Sequence, residues 1–234
     1  MNDLVIITGA SRGIGLALAK RFLARGASVV SLARSKCPLD GVVQINVDLA
    51  KSNFEHGLSA ELMALAESRE RIVLVHNAAV LESDDARNVD SEVFARTLTV
   101  GLVAPAILNR MLIPKMRRGS SILYVGSTLA EKAVAGLLSY VTSKHAVIGL
   151  MRATCQDLLG SGIHTACVCP GITDTEMLRQ RVGNDESTLR ALRAMTGDGR
   201  LIEPDEIAAI LEFAADHPVL NGTVVHANLG QKEH

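Results

Sequence analysis

The chain has few aromatic residues and almost no net charge. Aromatic side chains make up 3% of its 234 residues, tryptophan is absent, and the formal net charge at pH 7 is −1. A nucleic-acid-binding protein usually has a surplus of basic residues, or aromatic side chains on which bases stack. We therefore expect no nucleic-acid partner. The seven histidines are scattered, without a pair at the spacing of metal ligands, so no metal site is predicted.

Cysteine is scarce too. None of the four cysteines forms a Cys-x-x-Cys pair, and Cys167 and Cys169 fall on one face of an apparent strand. We expect buried, reduced thiols and no redox or metal role. The first residues lack the charged segment and cleavage site of a signal peptide, and Asn109 and Arg110 interrupt the best candidate for a membrane-spanning stretch. These absences favour a cytoplasmic protein with no membrane partner.

What the chain has is an alternation of short apolar runs with longer amphipathic stretches. The apolar runs are rich in Val, Ile and Leu with little polar alternation, as expected for strands that are buried on both faces. The predicted strands are Leu4–Ile7, Ser28–Ala33, Val42–Val47, Ile72–His76, Ser121–Gly126, His164–Cys169 and Thr223–Ala227. The predicted helices are Gly13–Arg25, Ala60–Arg69, Ser91–Met116, Leu138–Leu159 and Pro204–Ala215.

This alternation predicts the α/β class, with a doubly wound parallel sheet of the Rossmann type. Because we find no linker or repeat, residues 1–234 are predicted to form a single domain. The segment 177–200 has no clear strand and contains Gly183, Asn184, Gly197 and Gly199. It follows the sixth strand, at the edge where ligands bind in such folds. We expect a substrate lid at 177–200; the alternative is a variable surface excursion.

A glycine-rich turn follows the first strand and opens the first helix. Glycine allows a tight turn and a close approach of the backbone to a pyrophosphate, and the helix amino terminus offers free N–H groups. The spacing differs from G-x-G-x-x-G, so the strand before it and the helix after it carry the prediction. The predicted phosphate contacts are Gly9, Ser11, Arg12, Gly13, Ile14 and Gly15.

The end of the second strand predicts which dinucleotide is bound. An NAD-binding fold commonly places an acidic residue here, whereas this chain has Ala33 followed by Arg34. A guanidinium suits the 2′-phosphate of NADP, and Arg12 could add a second positive charge. We therefore predict a preference for NADP(H), with NAD less favoured. The alternative is that Arg34 is a solvated loop residue.

Three further residues predict proton-transfer chemistry. Ser127 closes the fifth strand, and Tyr140 and Lys144 lie four residues apart in a helical stretch, so they project from one face. A nearby ammonium and a positive nicotinamide ring would favour the phenolate of Tyr140. Ser127 could then hold the oxygen of the substrate. Taken alone, a Tyr and a Lys at this spacing are more often surface residues.

Together these motifs resemble the short-chain dehydrogenase/reductase family over essentially the whole chain. The matching motifs, in order and at family-like spacing, are Thr8-Gly9-x-x-x-Gly13-x-Gly15, His76-Asn77-Ala78-Ala79, Ser127, Tyr140-x-x-x-Lys144 and Pro170-Gly171 with Thr175. The resemblance implies a seven-stranded parallel sheet. It also implies a homodimer or homotetramer built on the two long helices.

The resemblance also implies a role for each matching residue. Tyr140 would be the general acid/base, Ser127 would orient the substrate oxygen, and Lys144 would bind the nicotinamide ribose and favour the phenolate. Asp48 would contact the adenine. The remaining implied cofactor contacts are Asn77, Ala78 and Ala79 in the cleft, and Pro170, Gly171, Ile172 and Thr175 at the carboxamide.

The chain departs from the family at one position. Most members have an Asn in a Val-Asn-Leu-like triplet, which holds a water of a proton relay, and this chain has Val100-Gly101-Leu102. Phe94 upstream and Pro114 downstream keep the motif aligned. We expect that the space left at Gly101 could admit another water, that the protein is catalytically competent but slow, and that Gly101→Asn increases turnover.

The sequence thus predicts an NADP(H)-preferring oxidoreductase that transfers a hydride between nicotinamide and a small carbonyl compound or secondary alcohol. The alternative is a dinucleotide-binding regulatory or scaffold protein with weak or no turnover. Gly101 favours the alternative, whereas the intact Ser127, Tyr140 and Lys144 favour an enzyme.

Overall fold

The computed structural model describes residues 3–67, 69–183 and 185–231, with residue 59 described by its backbone alone. Its seven strands form one parallel sheet in the order β3-β2-β1-β4-β5-β6-β7. The strands are β1 Asp3–Thr8, β2 Ser28–Ala33, β3 Val42–Asn46, β4 Arg71–His76, β5 Ser121–Val125, β6 His164–Pro170 and β7 Thr223–Ala227. The predicted α/β fold is confirmed, and both ends of every strand lie within one residue of their predicted positions.

The sheet is covered on both faces, which explains why its strands lack polar alternation. Leu4 and Ile6 of β1 belong to the core on one face, and Val5 and Ile7 belong to the core on the other. All four are fully buried. Burying a side chain of this size contributes about 1.5–3 kcal/mol, so both faces of the sheet stabilise the fold.

The helices lie on the two faces. The first core is completed by α2, α4 and α5, and the second by α1 and α8. Helix α8 begins at Pro204, as predicted, and its amino end has a capping box formed by Glu203 and Glu206. The α-helices are α1 Gly13–Ala24, α2 Glu55–Ala66, α3 Ser91–Leu98, α4 Ala104–Leu112, α5 Leu138–Asp157, α6 Glu176–Val182, α7 Glu186–Ala194 and α8 Pro204–Asp216.

The prediction for α2 is wrong at its amino end. The helix begins at Glu55 instead of residue 60 and ends at Ala66, because Glu67 is in an extended conformation. The predicted helix ends at residue 69, which lies outside the observed helix. Residue 68 lies outside the described residues. Phe54, Leu58, Leu62 and Ala66 are buried at a spacing of four, so one apolar face continues across Gly57.

The predicted single helix over 91–116 is divided. A π-helical turn at Thr99–Val103 separates α3 from α4, and a 3₁₀ turn at Ile113–Lys115 ends the run. Pro105 explains the division, because it has no N–H to donate to the carbonyl of Gly101 four residues earlier, and its ring would clash with that carbonyl. Instead, the Ala104 N–H donates to the Thr99 carbonyl, five residues back.

The same run corrects the expectation about membrane-spanning length. By length and composition alone, the helical stretch Ser91–Lys115 could cross a bilayer. One side of it packs into the protein core, through the buried residues Val100, Ala104, Leu108 and Leu112. A core helix of a soluble domain passes the same length test, so the stretch is weak evidence for a membrane span.

A buried histidine predicts how the stability of the fold depends on pH. His76 lies at the end of β4, where its Nε2 is 2.8 Å from Asn109 Oδ1, and burial lowers its pKa from 6.5 to about 4. Between pH 6.5 and pH 4, His76 is therefore protonated in the unfolded chain but neutral in the folded protein. The fold loses stability as the pH falls from about 6.5 to about 4. The full difference corresponds to about 3 kcal/mol.

Between pH 6.5 and pH 4, the free energy of unfolding should fall less in His76→Gln than in the parent. The difference between the two decreases should reach up to about 3 kcal/mol. Urea denaturation at the two pH values measures it. His145→Gln is the control, because His145 is exposed on α5. Equal losses in the parent and in His76→Gln would contradict the prediction.

Candidate functional site

The predicted site residues gather at the carboxyl edge of the sheet. Because the sheet is parallel, the turns that follow successive strands meet at this edge. Gly9 follows β1, Arg34 follows β2, Asp48 follows β3 and Asn77 follows β4. Ser127 comes two residues after β5, and the segment 170–175 begins at the last residue of β6.

The glycine turn has the geometry predicted for a phosphate cradle. Gly9 and Gly13 have φ values of +74° and +55°, which favour glycine. Helix α1 then begins at Gly13 with no side-chain cap from Arg12 and no acidic residue in its first turn. A Cβ at Gly15 would lie 2.6 Å from Asn77 Nδ2 and would also collide with the Gly9 carbonyl oxygen. The turn thus presents uncapped N–H groups and leaves no room for a side chain at Gly15.

Thr8 holds this turn against β4, a role that sequence reasoning missed. The hydroxyl oxygen of Thr8 accepts hydrogen bonds from the N–H groups of Asn77 and Ala78, at 2.9 and 3.0 Å. Asn77 Nδ2 in turn donates to the carbonyls of Thr8 and Gly9, at 2.9 and 3.0 Å. Asn77, predicted as a cofactor contact, therefore also ties the glycine turn to the end of β4, and Ala79 follows in the same half-buried segment.

Two exposed arginines lie at this edge, Arg12 within the glycine turn and Arg34 after β2. Gly9 N–H donates to the Leu32 carbonyl at 2.9 Å, which brings the ends of β1 and β2, and hence Arg12 and Arg34, to the same region of the edge. Within residues 3–67, 69–183 and 185–231, neither guanidinium has an ion pair. The segment that carries Asp48 lies beside the end of β2, because the Val47 N–H donates to the Ala33 carbonyl at 3.1 Å. An anionic group of a bound ligand would meet two positive charges here that have no ion pair within the described residues.

Ser127, Tyr140 and Lys144 come together between β5 and α5. Lys144 is buried, and its Nζ donates to the Val125 carbonyl at 2.7 Å and lies 5.5 Å from the centroid of the Tyr140 ring. Ser127 caps the 3₁₀ turn at Thr128–Ala130, and its Oγ accepts the Leu129 N–H at 3.1 Å. The Ser127 hydroxyl hydrogen is thus left to donate, at the start of a turn that packs against α5, the helix of Tyr140 and Lys144.

Two buried thiols pack against Gly126, the residue before Ser127. Cys167 Sγ and Cys169 Sγ lie 3.8 Å apart on β6, and a Cβ at Gly126 would lie 2.8 and 2.6 Å from them. The hydrogen bond with Cys169, together with burial, raises the pKa of Cys167, so this thiol stays protonated. All four cysteines are free and buried, which confirms the prediction of core thiols.

The segment after β6 lies close to the glycine turn. A Cβ at Gly13 would lie 3.3 Å from Thr175 Cγ2, and Thr175 Oγ1 caps α6 by accepting the Leu178 N–H at 3.3 Å. Gly171 N–H donates to the Ala227 carbonyl at 2.9 Å, and the Ile172 carbonyl accepts the Ile202 N–H at 3.0 Å. Pro170 is the last residue of β6. The predicted carboxamide contacts therefore border the predicted phosphate contacts.

The predicted lid contains two helices, α6 and α7, between which residue 184 lies outside the described residues. Arg179 of α6 makes two contacts of 2.6 Å with Asp174, and this pairing lowers the pKa of Asp174. At the other end of the segment, Gly197 N–H donates to the Leu229 carbonyl at 2.8 Å. The segment is thus tied down near both ends, with two short helices between.

The structure corrects the expectation about Gly101. The space where a side chain at this position would begin is filled by Ser143 Oγ, which overlaps with an ideal Cβ. Ser143 is buried and directly precedes Lys144 on α5. There is therefore no room for an additional water where the Cβ would be, and an Asn side chain fits only if Ser143 moves.

We therefore replace the expectation that Gly101→Asn increases turnover with a prediction on stability. Gly101→Ala alone should destabilise the fold by about 1–3 kcal/mol, because its Cβ meets Ser143 Oγ. In a Ser143→Ala background the same change should stabilise by up to about 1 kcal/mol, because the remaining Cβ of residue 143 is 3.5 Å away and alanine favours a helix. A double-mutant cycle by urea denaturation measures the coupling, and additive effects would contradict the overlap.

Comparison with known proteins agrees with this geometry. Residues 3–186 match the family model described as short chain dehydrogenase. The human dehydrogenase/reductase SDR family member 4 is 32% identical over 235 residues, covering 91% of this chain and 80% of the relative. The ligand-free aldohexose dehydrogenase of Thermoplasma acidophilum has a TM-score of 0.90 at 28% identity, covering 98% of this chain and 93% of that one. A short chain dehydrogenase of Burkholderia cenocepacia in complex with NADP has a TM-score of 0.84 at 26% identity, covering 97% and 96% of the two chains.

Proposed function

Because the chain belongs to the short-chain dehydrogenase/reductase family of NAD(P)-dependent oxidoreductases, we propose that it exchanges a hydride between NADP(H) and a carbonyl compound or secondary alcohol. One observation carries this proposal. Lys144 Nζ lies 5.5 Å from the centroid of the Tyr140 ring and is fixed to the carbonyl of Val125, two residues before Ser127, at the same sheet edge as the glycine turn. A non-catalytic dinucleotide binder has no need for this arrangement.

Each of the three residues has a task. Tyr140 gives its phenolic proton to the substrate oxygen during reduction and removes a proton from the alcohol during oxidation. Ser127 donates a hydrogen bond to the same oxygen, since its own Oγ is already oriented by the Leu129 N–H. The Lys144 ammonium stabilises the phenolate and has further donors available for ribose hydroxyls.

The residues at the glycine turn fit a dinucleotide phosphate. The uncapped N–H groups at the start of α1 would bind the pyrophosphate, in a cradle that any side chain at Gly15 would fill. When bound, the nicotinamide supplies the hydride chemistry, and the protein supplies position and charge. Arg34 and Arg12 would bind the 2′-phosphate of NADP(H), and the NADP complex of the Burkholderia relative supports this choice.

The remaining roles follow from position at the edge. We propose that Asp48 contacts the adenine, that Ile172 and Thr175 hold the carboxamide, and that α6 and α7 cover the substrate as a lid. We also propose a homodimer or homotetramer that buries the apolar groove between α4 and α5, where Val103 is 48% exposed. Sedimentation of the parent and of Val103→Asp tests the assembly.

Oxidation of NADPH and NADH in the presence of ketones, aldehydes and 3-oxoacyl esters, followed by nicotinamide absorbance, tests the proposed function. We expect turnover of at least one carbonyl compound, faster with NADPH. Tight dinucleotide binding without turnover of any compound would instead favour a regulatory or scaffold protein, the alternative suggested by Gly101.

A further inference from the structure

Helix α5, which carries Tyr140 and Lys144, begins without a cap from its own sequence. Its N-cap residue is Leu137, which has no side-chain acceptor, and its first turn contains no acidic residue. The first N–H groups of a helix have no partner within the helix and need an acceptor from elsewhere. The acceptor here is Asp84, which lies 55 residues before Ser139 in the chain, in the loop after β4.

Asp84 contacts the start of α5 through both its side chain and its backbone. Its two carboxylate oxygens accept the Ser139 N–H, at 3.1 and 3.2 Å, and the Ser139 hydroxyl also donates to Oδ2. Its own N–H donates to the Gly136 carbonyl, and its carbonyl accepts the Leu138 N–H, both at 3.3 Å. Leu137 is thereby held in a parallel bridge with Asp84.

This cap differs from the other aspartate caps among the described residues. Asp90 caps α3 and Asp185 caps α7, and each is an exposed residue that directly precedes its own helix. Asp84, in contrast, is 7% exposed and belongs to a distant segment. Burying a carboxylate is unfavourable unless hydrogen bonds compensate. A buried cap that comes from a distant loop therefore indicates that the start of α5 has to be held in one position.

Tyr140 directly follows the residue that Asp84 holds. One turn later, Lys144 Nζ anchors the same helix to the Val125 carbonyl at the end of β5. The phenol thus lies between two fixed points, one at Ser139 and one at Lys144. On the proposed function, we infer that Asp84 is a positioning residue, which sets the distance of the Tyr140 hydroxyl from Ser127 and from the substrate oxygen.

The same loop also reaches α6. Ser83 Oγ accepts a hydrogen bond from Arg181 Nη1 at 3.2 Å, and Glu82 pairs with Arg96 of α3 at 3.1 Å. The glycine turn, by contrast, is held by Thr8 and Asn77. Loss of the Asp84 carboxylate should therefore disturb the reacting groups and leave the affinity for the cofactor nearly unchanged.

Asp84→Ala, Asp84→Asn and the control Asp90→Ala test the inference. Asp84→Ala should lower kcat by on the order of 10–100-fold, since small errors in the position of a catalytic group have effects of this size. The Kd of NADPH, measured by quenching or enhancement of cofactor fluorescence, should stay within about twofold of the parent value. Loss of one hydrogen bond to a charged group of the cofactor would instead raise the Kd by about tenfold or more. Asp84→Asn keeps an oxygen acceptor and should recover most of kcat. Asp90→Ala should lower the melting temperature but leave kcat unchanged.

If Asp84→Ala has the same kcat as the control Asp90→Ala, Asp84 is only a structural cap and the inference is wrong. If Asp84→Ala does not fold, Ser139→Ala decides, because it removes only the hydroxyl contact: a lower kcat at unchanged Kd supports the inference, and an unchanged kcat overturns it. Tyr140→Phe is measured alongside. If Tyr140→Phe is inactive and the Asp84 variants are fully active, the proposed function stands and the inference fails, whereas an active Tyr140→Phe contradicts the proposed function itself.

Discussion

Tyr140→Phe should fold and bind NADPH like the parent but lose about 10²–10⁴-fold of its turnover, the contribution typical of a positioned proton donor. The change removes one hydroxyl and keeps the ring, which is half-buried beside Lys144. No described hydrogen bond of the protein ends on the Tyr140 hydroxyl, so the fold should lose little stability. Steady-state kinetics, NADPH binding and thermal unfolding of the same preparation measure the three quantities.

The other tyrosine of the chain is a matched control. Tyr124 is fully buried on β5, and its hydroxyl accepts from Asn109 Nδ2 at 2.7 Å and lies 3.1 Å from Thr154 Oγ1. Burial raises the pKa of Tyr124, which keeps it a neutral phenol. Tyr124→Phe should cost about 1–3 kcal/mol of stability, because it leaves a buried amide unpaired, and it should keep turnover near the parent value. Near-normal turnover in Tyr140→Phe would refute its role as acid/base.

Arg34→Ala should weaken NADPH binding by about 10–100-fold and leave NADH binding nearly unchanged. The guanidinium is exposed and has no ion pair within the described residues, so it is free to bind a phosphate. A charge-assisted hydrogen bond contributes about 1.5–3 kcal/mol, which gives this range. Isothermal titration with both dinucleotides measures it. The effect should weaken as salt is added, since an exposed charge pair is screened.

Arg152→Ala controls for the loss of one positive charge. Arg152 is exposed on the last turns of α5, and its removal changes the net charge by the same amount. It should leave the affinities for both dinucleotides unchanged. If the parent binds NADPH and NADH equally well, or if the two variants behave alike, Arg34 does not select the cofactor.

The sequence contains most of what determines the sheet and the edge where the site lies. Strands such as β1 and β4 are buried on both faces, so they appear as continuous apolar runs. Once the sheet is known to be parallel, residues that follow the strands, such as Gly9, Asn77 and Ser127, must gather at one edge. The fold and the neighbourhood of the candidate site were therefore predictable from local patterns.

Features that depend on contacts between distant segments were not. The division between α3 and α4 is a different case, because Pro105 is a local signal: it has no N–H to donate to the carbonyl of Gly101, four residues earlier. The filled space at Gly101 depends on Ser143 in another helix, and the cap of α5 comes from Asp84 in a distant loop. No local propensity reports such pairs, because the contacts exist only after the chain has folded.

The most direct test of hydride transfer with Tyr140 as proton donor is product analysis by mass spectrometry. A carbonyl compound is incubated with NADPH that carries two deuterium atoms on C4 of the reduced nicotinamide, so that either face delivers the label, and the parent is compared with Tyr140→Phe. We expect the parent to place one deuterium on the carbinol carbon, and Tyr140→Phe to form the same labelled alcohol about 10²–10⁴-fold more slowly. Equal rates in the two proteins, or bound NADPH with no labelled alcohol from any carbonyl compound tested, would contradict the account.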